Sequence, residues 1–213
     1  MIAILAHRGF WIEPAEKNSR TALARAFSNG FGIETDIRDH DGLLVVSHDP
    51  PVGPDLMTLD ELLALYRRHG APGTLALNIK ADGLQTALLD ALSRHGVSDY
   101  FVFDMAVPDG ILYLRLGAVS YTRQSEYERD PSFYDKAAGI WLDAFEQDWI
   151  DGAAVQVHLA AGKRVALVSP ELHGRPHEKV WERWKSVAAG AAPGSLALCT
   201  DFPDKAREFF DAE

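Results

Sequence analysis

Short apolar runs alternate with amphipathic stretches along the whole chain. Residues 2–6, 32–37, 74–79, 100–103, 118–121, 139–142, 164–168 and 196–200 read as strands. Between them, residues 19–29, 59–69, 84–95, 110–116, 149–161, 178–189 and 204–210 carry helical patterning, with a weaker helical stretch at 131–138. The punctuation agrees. Thr58 stands where a helix N-cap is needed, with Glu61 three residues on to complete a capping box. Gly30, Gly70 and Gly96 follow helix ends, where a left-handed residue closes the last turn. Eight strands alternating with eight helices predict an α/β fold, a closed parallel (β/α)8 barrel with its helices outside. An open doubly wound sheet has the same alternation and is the runner-up. Proline and glycine are scattered and no linker interrupts the pattern, so residues 1–213 are expected to form one barrel domain.

Composition narrows the function classes. Of the 213 residues, 47% are hydrophobic, enough for a full core and too many for a disordered chain. The 21 basic and 31 acidic side chains give a net charge of −10, which argues against non-specific nucleic-acid binding. It leaves an anionic substrate open, because the charge inside a pocket differs from the total. The one cysteine, Cys199, excludes an intramolecular disulfide and lies in an apolar run, the setting of a buried structural thiol. Residues 1–6 are apolar but too short for a signal segment, and no run approaches the roughly 20 residues that span a bilayer. The expectation is a cytoplasmic protein with no stable membrane insertion.

In a parallel barrel, chemistry collects at the C-terminal ends of the strands. His7 follows the first strand. Glu34 and Asp36 end the second, and their i, i+2 spacing puts both carboxylates on one face. Asn78 and Lys80 repeat that spacing at the end of the third. The first three strands are neighbours, so these five side chains should converge. His48 sits in Ser47-His48-Asp49-Pro50, at the end of an apolar run. Two histidines beside two carboxylates are what acid–base cleavage of a phosphodiester next to a divalent cation needs. The other histidines have blander readings: His69 and His95 sit near helix C-termini, and His40, His158, His173 and His177 follow no partner pattern.

His7-Arg8-Gly9, Asn18 before an alanine-rich helix, Glu34-x-Asp36, and Asp41-Gly42 followed by Val45-Val46-Ser47-His48-Asp49 together resemble the glycerophosphodiester phosphodiesterase family. Thr58-Leu59-x-Glu61-Leu62 and Thr200-Asp201-x-Pro203 extend the likeness. It is dense over residues 4–66 and sparse, but in order, to residue 203. The resemblance implies a triosephosphate-isomerase-type barrel and hydrolysis of a small phosphodiester with one divalent cation, Mg2+ or Ca2+. It also implies roles: His7 and His48 as general acid and base, and Glu34 and Asp36 as metal ligands. Arg8 and Lys80 become phosphate contacts, and Asn18 ties the first loop and touches substrate.

Two departures bear on that reading. The family pattern has a glutamate ligand two residues before the lysine; here it is Asn78, whose amide oxygen binds a hard cation without contributing charge. The family also inserts a small cap after its His-Asp motif, whereas residues 50–58 alone separate Asp49 from Leu59. Loss of the cap keeps open a lyase reading, related to phosphatidylinositol-specific phospholipase C and sphingomyelinase D, that forms a cyclic phosphate. Phe10-Trp11-Ile12 then becomes a lipid contact, a lid or plain packing. Asn78 keeps open a non-catalytic phosphate-binding barrel. Trp141 and Arg123, at the ends of strands six and five, and Glu171 and His173, after strand seven, are further candidates for the pocket. Trp181 and Trp184 read as packing.

Overall fold

The computed structural model describes residues 2–212. Its strands are β1 (Ala3–His7), β2 (Gly32–His40), β3 (Leu43–Val46), β4 (Leu75–Ile79), β5 (Tyr100–Phe103), β6 (Tyr121–Gln124), β7 (Gly139–Leu142), β8 (Arg164–Val168) and β9 (Leu196–Thr200). Its α-helices are α1 (Arg20–Ser28), α2 (Leu59–Arg68), α3 (Gln85–Arg94), α4 (Val107–Arg115), α5 (Gly152–Ala160), α6 (Glu178–Gly190) and α7 (Pro203–Asp211). The sheet runs β5-β4-β2-β1-β9-β8-β7-β6, and its two ends meet through the parallel bridge Val102–Ser120. Eight parallel strands therefore close into the expected barrel. No helix among the described residues is long and apolar enough to cross a membrane.

Alternation along each strand divides the core in two. Leu5, Ala76, Phe101, Phe103, Tyr121, Trp141, Ala166, Val168 and Cys199 fill the barrel interior. The intervening residues, such as Ile33, Ile37, Leu75, Leu77, Ile140 and Leu142, face the helices. Trp141 is thus interior packing, stacked 4.0 Å from Phe103 beneath the mouth and only 5% exposed, rather than a pocket wall. Trp181 and Trp184 pack under α6 as expected. Cys199 is fully buried, and burial pushes its thiol pKa well up, as befits a structural thiol.

Three expectations need correction. Strand five begins at Tyr121, not at residue 118, because Ala118 closes α4. Its N–H donates to Tyr113 O (3.0 Å), beside Gly117 in the left-handed conformation (φ 80°). The stretch 131–138 forms only a one-turn 3-10 helix, Tyr134–Lys136. Pro131 precedes it, Phe133 is left-handed (φ 47°), and Thr122 Oγ1 and Gln124 Nε2 bond the backbone of Ser132 and Arg129, holding the segment as a loop. Finally, β2 runs on to His40 and pairs antiparallel with β3, an extra hairpin turned at Asp41-Gly42 (φ 48° and 78°).

Candidate active site

Parallel register brings the sequence-read residues together at the C-terminal mouth. His7 pairs with Glu34 across β1 and β2, and Asp36 with Asn78 across β2 and β4. Glu34, Asp36 and Asn78 are all buried. Asn78 Nδ2 donates to Glu34 Oε1 (3.3 Å). Asp36 lies between two cations, with Arg8 Nε 3.2 Å from Oδ2 and Lys80 Nζ 3.5 Å from Oδ1. Asn18 Nδ2 donates to Asp36 Oδ2 (2.9 Å) while its Oδ1 accepts from Thr35 Oγ1 (2.7 Å). Asn18 is therefore a brace of the site, built from both ends of its amide.

The loop after β1 is shaped to present Arg8. Arg8 and Gly9 are both left-handed (φ 56° and 89°), and Arg8 N–H donates to Glu34 O (2.8 Å). Glu16 clamps the rest: it accepts from Ile12 N and from Arg25, which hold its carboxyl down at about 2, and Arg25 also donates to Phe10 O. Trp11 donates to His7 O and lies under Lys17, so its ring is tied inward around the site, while Ile12 beside it is exposed.

His7 is held by a carboxylate that sequence reading gave no role. Its Nδ1–H donates to Asp201 Oδ1 (2.6 Å), at the end of β9, leaving Nε2 on the side of Glu34 Oε2 (3.8 Å). Burial lowers the His7 pKa although Asp201 opposes it, and Asp201 is itself held below its usual range by His7 and Lys17 against its own desolvation. The resting pair is a neutral imidazole on a carboxylate. His48 is 44% exposed, paired with the 87% exposed Asp49 (2.9 Å), and lines a cleft of about 540 Å3 with Arg8, Lys17 and Asn18. It reaches the same cleft as Arg8 without a buried partner of its own.

A divalent cation fits the residues present. Glu34 Oε2, Asp36 Oδ1 and Asn78 Oδ1 are buried oxygens with no hydrogen-bond partner, a donor set suited to a hard cation. Burial, then the neighbouring Asp36, pushes the Glu34 pKa up to about 8, so the charged carboxylate lacks the compensation a cation would give it. Among the described residues no group of three His, Cys, Asp or Glu side chains is arranged to hold a metal. The third oxygen is an amide, and the set is a weak one.

The far side of the mouth carries groups that sequence reading left undirected or missed. Asp104, just past β5, lies 3.9 Å from Lys80 and accepts from Arg123 Nη1 (2.8 Å). Arg123 sits within β6 and also pairs with Glu128, so its Nη1 and Nε are both turned to carboxylates. Glu171 accepts from Ser169, Thr200 and Asp201 N (3.1 Å), and His173 pairs with Asp143. Asp104, Asp143 and Asp201 each stand immediately after the last residue of a strand, the one sequence signal that marks them. A larger cavity of about 930 Å3, between Ile111 and Lys136, holds none of the expected site residues.

No family model matches the chain, and no curated protein matches it by sequence. Among solved structures, it is similar to a Galdieria sulphuraria protein provisionally described as a glycerophosphodiester phosphodiesterase, with a TM-score of 0.79 and 16% identity over 100% of this chain and 98% of that one. An Oleispira antarctica phosphodiesterase in complex with the product sn-glycerol-3-phosphate matches with a TM-score of 0.68 and 19% identity, over 99% and 97% of the two chains. A Ca2+-dependent phosphatidylinositol-specific phospholipase C from Streptomyces antibioticus matches with a TM-score of 0.61 and 13% identity, over 98% and 96%. At these identities the likeness establishes the barrel fold.

Proposed function

We propose that this chain is a phosphoric diester hydrolase of the glycerophosphodiester phosphodiesterase type. Its substrate is a small glycerophosphodiester-like or sugar phosphodiester. One observation carries the reading: a carboxylate-held imidazole, three buried oxygens without a hydrogen-bond partner and two basic side chains meet at one strand-end site. The names and products of the structural neighbours point the same way. Glu34, Asp36 and Asn78 would hold one cation, Mg2+ or Ca2+, which when bound supplies positive charge against the phosphoryl oxygens.

The chain's own residues divide the rest of the work. Arg8 and Lys80 bind the non-bridging oxygens and offset charge that grows there. His7, neutral and fixed at Nδ1 by Asp201, takes a proton from the nucleophile at Nε2, and Asp201 stabilises the imidazolium that results. His48 gives a proton to the leaving oxygen. Asn18 keeps Asp36 and the Arg8 loop in register. The reading assigns the activity to residues 1–213 as one domain in the cytoplasm, which cell fractionation checks.

Turnover of bis(p-nitrophenyl) phosphate with added Mg2+, Mn2+ or Ca2+, lost on chelation, is the expected result. A purified, folded protein that turns over no phosphodiester under any of these cations would instead be the phosphate-binding barrel. The lyase reading is favoured by one observation, the short 47–58 connection that leaves no cap over the mouth. Phosphorus NMR of the product decides it: a phosphomonoester supports hydrolysis, and an accumulating cyclic phosphate supports the lyase.

A further inference from the structure

The mouth holds a second imidazole–carboxylate pair with the same spacing as His7–Asp201. His173 Nε2 is 2.6 Å from Asp143 Oδ1, with side-chain exposures of 23% and 8%. A carboxylate only accepts, so Nε2 carries a proton, and the imidazole form of the ring then presents Nδ1 as a lone-pair acceptor. The strand order places Asp143, at the end of β7, four strands from β2 by either route around the closed barrel. It therefore stands across the mouth from Glu34 and Asp36.

The surroundings are built to hold this pair. Asp143 N–H donates to Gln124 O (3.0 Å) and its carbonyl accepts from the Trp149 indole (3.2 Å). Glu126 accepts from the N–H groups of Phe145, Glu146 and Gln147, which bring its carboxyl down to about 2 against desolvation. That clamp sets the Phe145 ring against both His173 (4.8 Å) and Arg123 (5.6 Å). From Arg123 the contacts continue through Asp104 and Lys80 to Asp36. On the other rim, Glu171, two residues before His173, bonds Asp201 N–H, and Asp201 holds His7. His173 is thus joined to the phosphate end of the site along both sides of one mouth.

We propose that His173, oriented by Asp143, accepts a hydrogen bond from a hydroxyl of the alcohol esterified to the phosphate, and so selects polyol phosphodiesters. The proposal rests on the diesterase reading. A diester anchored at Arg8 and Lys80 extends its alcohol across the mouth toward β7 and β8. Arg123 there already turns its Nη1 to Asp104 and its Nε to Glu128. The Nδ1 acceptor suits an O–H donor and does nothing for a bare alkyl chain.

Glyceryl p-nitrophenyl phosphate and propyl p-nitrophenyl phosphate test this, because both release p-nitrophenolate and differ only in the two hydroxyls. The wild-type enzyme should prefer the glyceryl ester in kcat/KM. His173→Ala should lower the glyceryl-to-propyl ratio by about three- to tenfold, the worth of one neutral hydrogen bond. Asp143→Asn should lower it too, since an amide that donates to Nε2 moves the ring proton to Nδ1 and turns the acceptor into a donor. A purely structural tie would lower melting temperature and both rates together while leaving the ratio alone. An unchanged ratio in folded His173→Ala, or in Asp143→Asn if the alanine variant does not fold, overturns the proposal, as does a wild-type enzyme without preference. Wild-type protein inert toward both esters overturns the diesterase reading, and this inference with it.

Discussion

Asn78 stands where the resemblance expects a carboxylate, with its Oδ1 buried and unpaired beside Glu34 and Asp36. Asn78→Glu adds an anionic ligand at that point. Calorimetric titration with Mg2+ or Ca2+ should give affinity raised by about tenfold or more. Without cation the same variant should melt lower, because a third carboxylate joins a buried pair whose Glu34 is already pushed up to about 8. Unchanged affinity in a folded variant would mean that position 78 does not face the cation. His158 gives a pH prediction away from the site. Its Nδ1 accepts from Tyr134 OH (2.8 Å), its Nε2–H donates to Gln124 (2.9 Å), and burial lowers its pKa from 6.5. The unfolded chain takes up that proton first as pH falls below about 6.5, so the contribution of His158 is present above that value and fades below it. The stability lost in His158→Gln should therefore be larger at pH 7.5 than at 5.5; a difference independent of pH would refute this. Residues on β1, β2 and β4 were legible because strand-end position and i, i+2 spacing are local signals. The role of Asp201 was not, since it lies 194 residues from the histidine it holds.

At the scale of elements, four strands, at 100–103, 139–142, 164–168 and 196–200, have the bounds their apolar runs predict. Where reading failed, local chemistry outweighed hydrophobicity. Ala118 and Val119 are apolar yet precede β6, and the Asp41-Gly42 turn that makes the β2–β3 hairpin was read only as part of the resemblance. That hairpin matters, since β3 ends at Val46 and leads directly to His48. The turn after β1 matters more. A Cβ on Gly9 (φ 89°) would fall 2.8 Å from Ala22 C and 2.9 Å from Leu23 N, in the backbone of α1. Gly42 has a similar φ (78°) with nothing within 4 Å. Gly9→Ala should cost about 1–3 kcal/mol more than Gly42→Ala by thermal or chemical denaturation, and it alone should depress turnover by moving Arg8. Equal costs would mean that α1 yields freely and that the close approach has no role in setting the loop.

At the scale of the whole molecule, the α/β alternation was legible from the runs, whereas closure over an open doubly wound sheet, made by the Val102–Ser120 bridge, and the meeting of distant carboxylates at the mouth were not. Closure brings residues from both ends of the chain onto adjacent strands β1 and β9, and the short 50–58 connection leaves that mouth open. The net charge of −10 is no obstacle to an anionic substrate, because Arg8, Lys17 and Lys80 lie at the carboxylate-lined centre. The central claim is that this convergence is a cation-assisted diesterase in which His7 carries a proton. The most direct measurement is the rate of bis(p-nitrophenyl) phosphate hydrolysis by folded His7→Ala against wild type at a fixed, saturating divalent cation. The account predicts a loss of about 10²–10⁴-fold, the worth of one general acid or base. A His7→Ala protein that keeps the wild-type rate would contradict it.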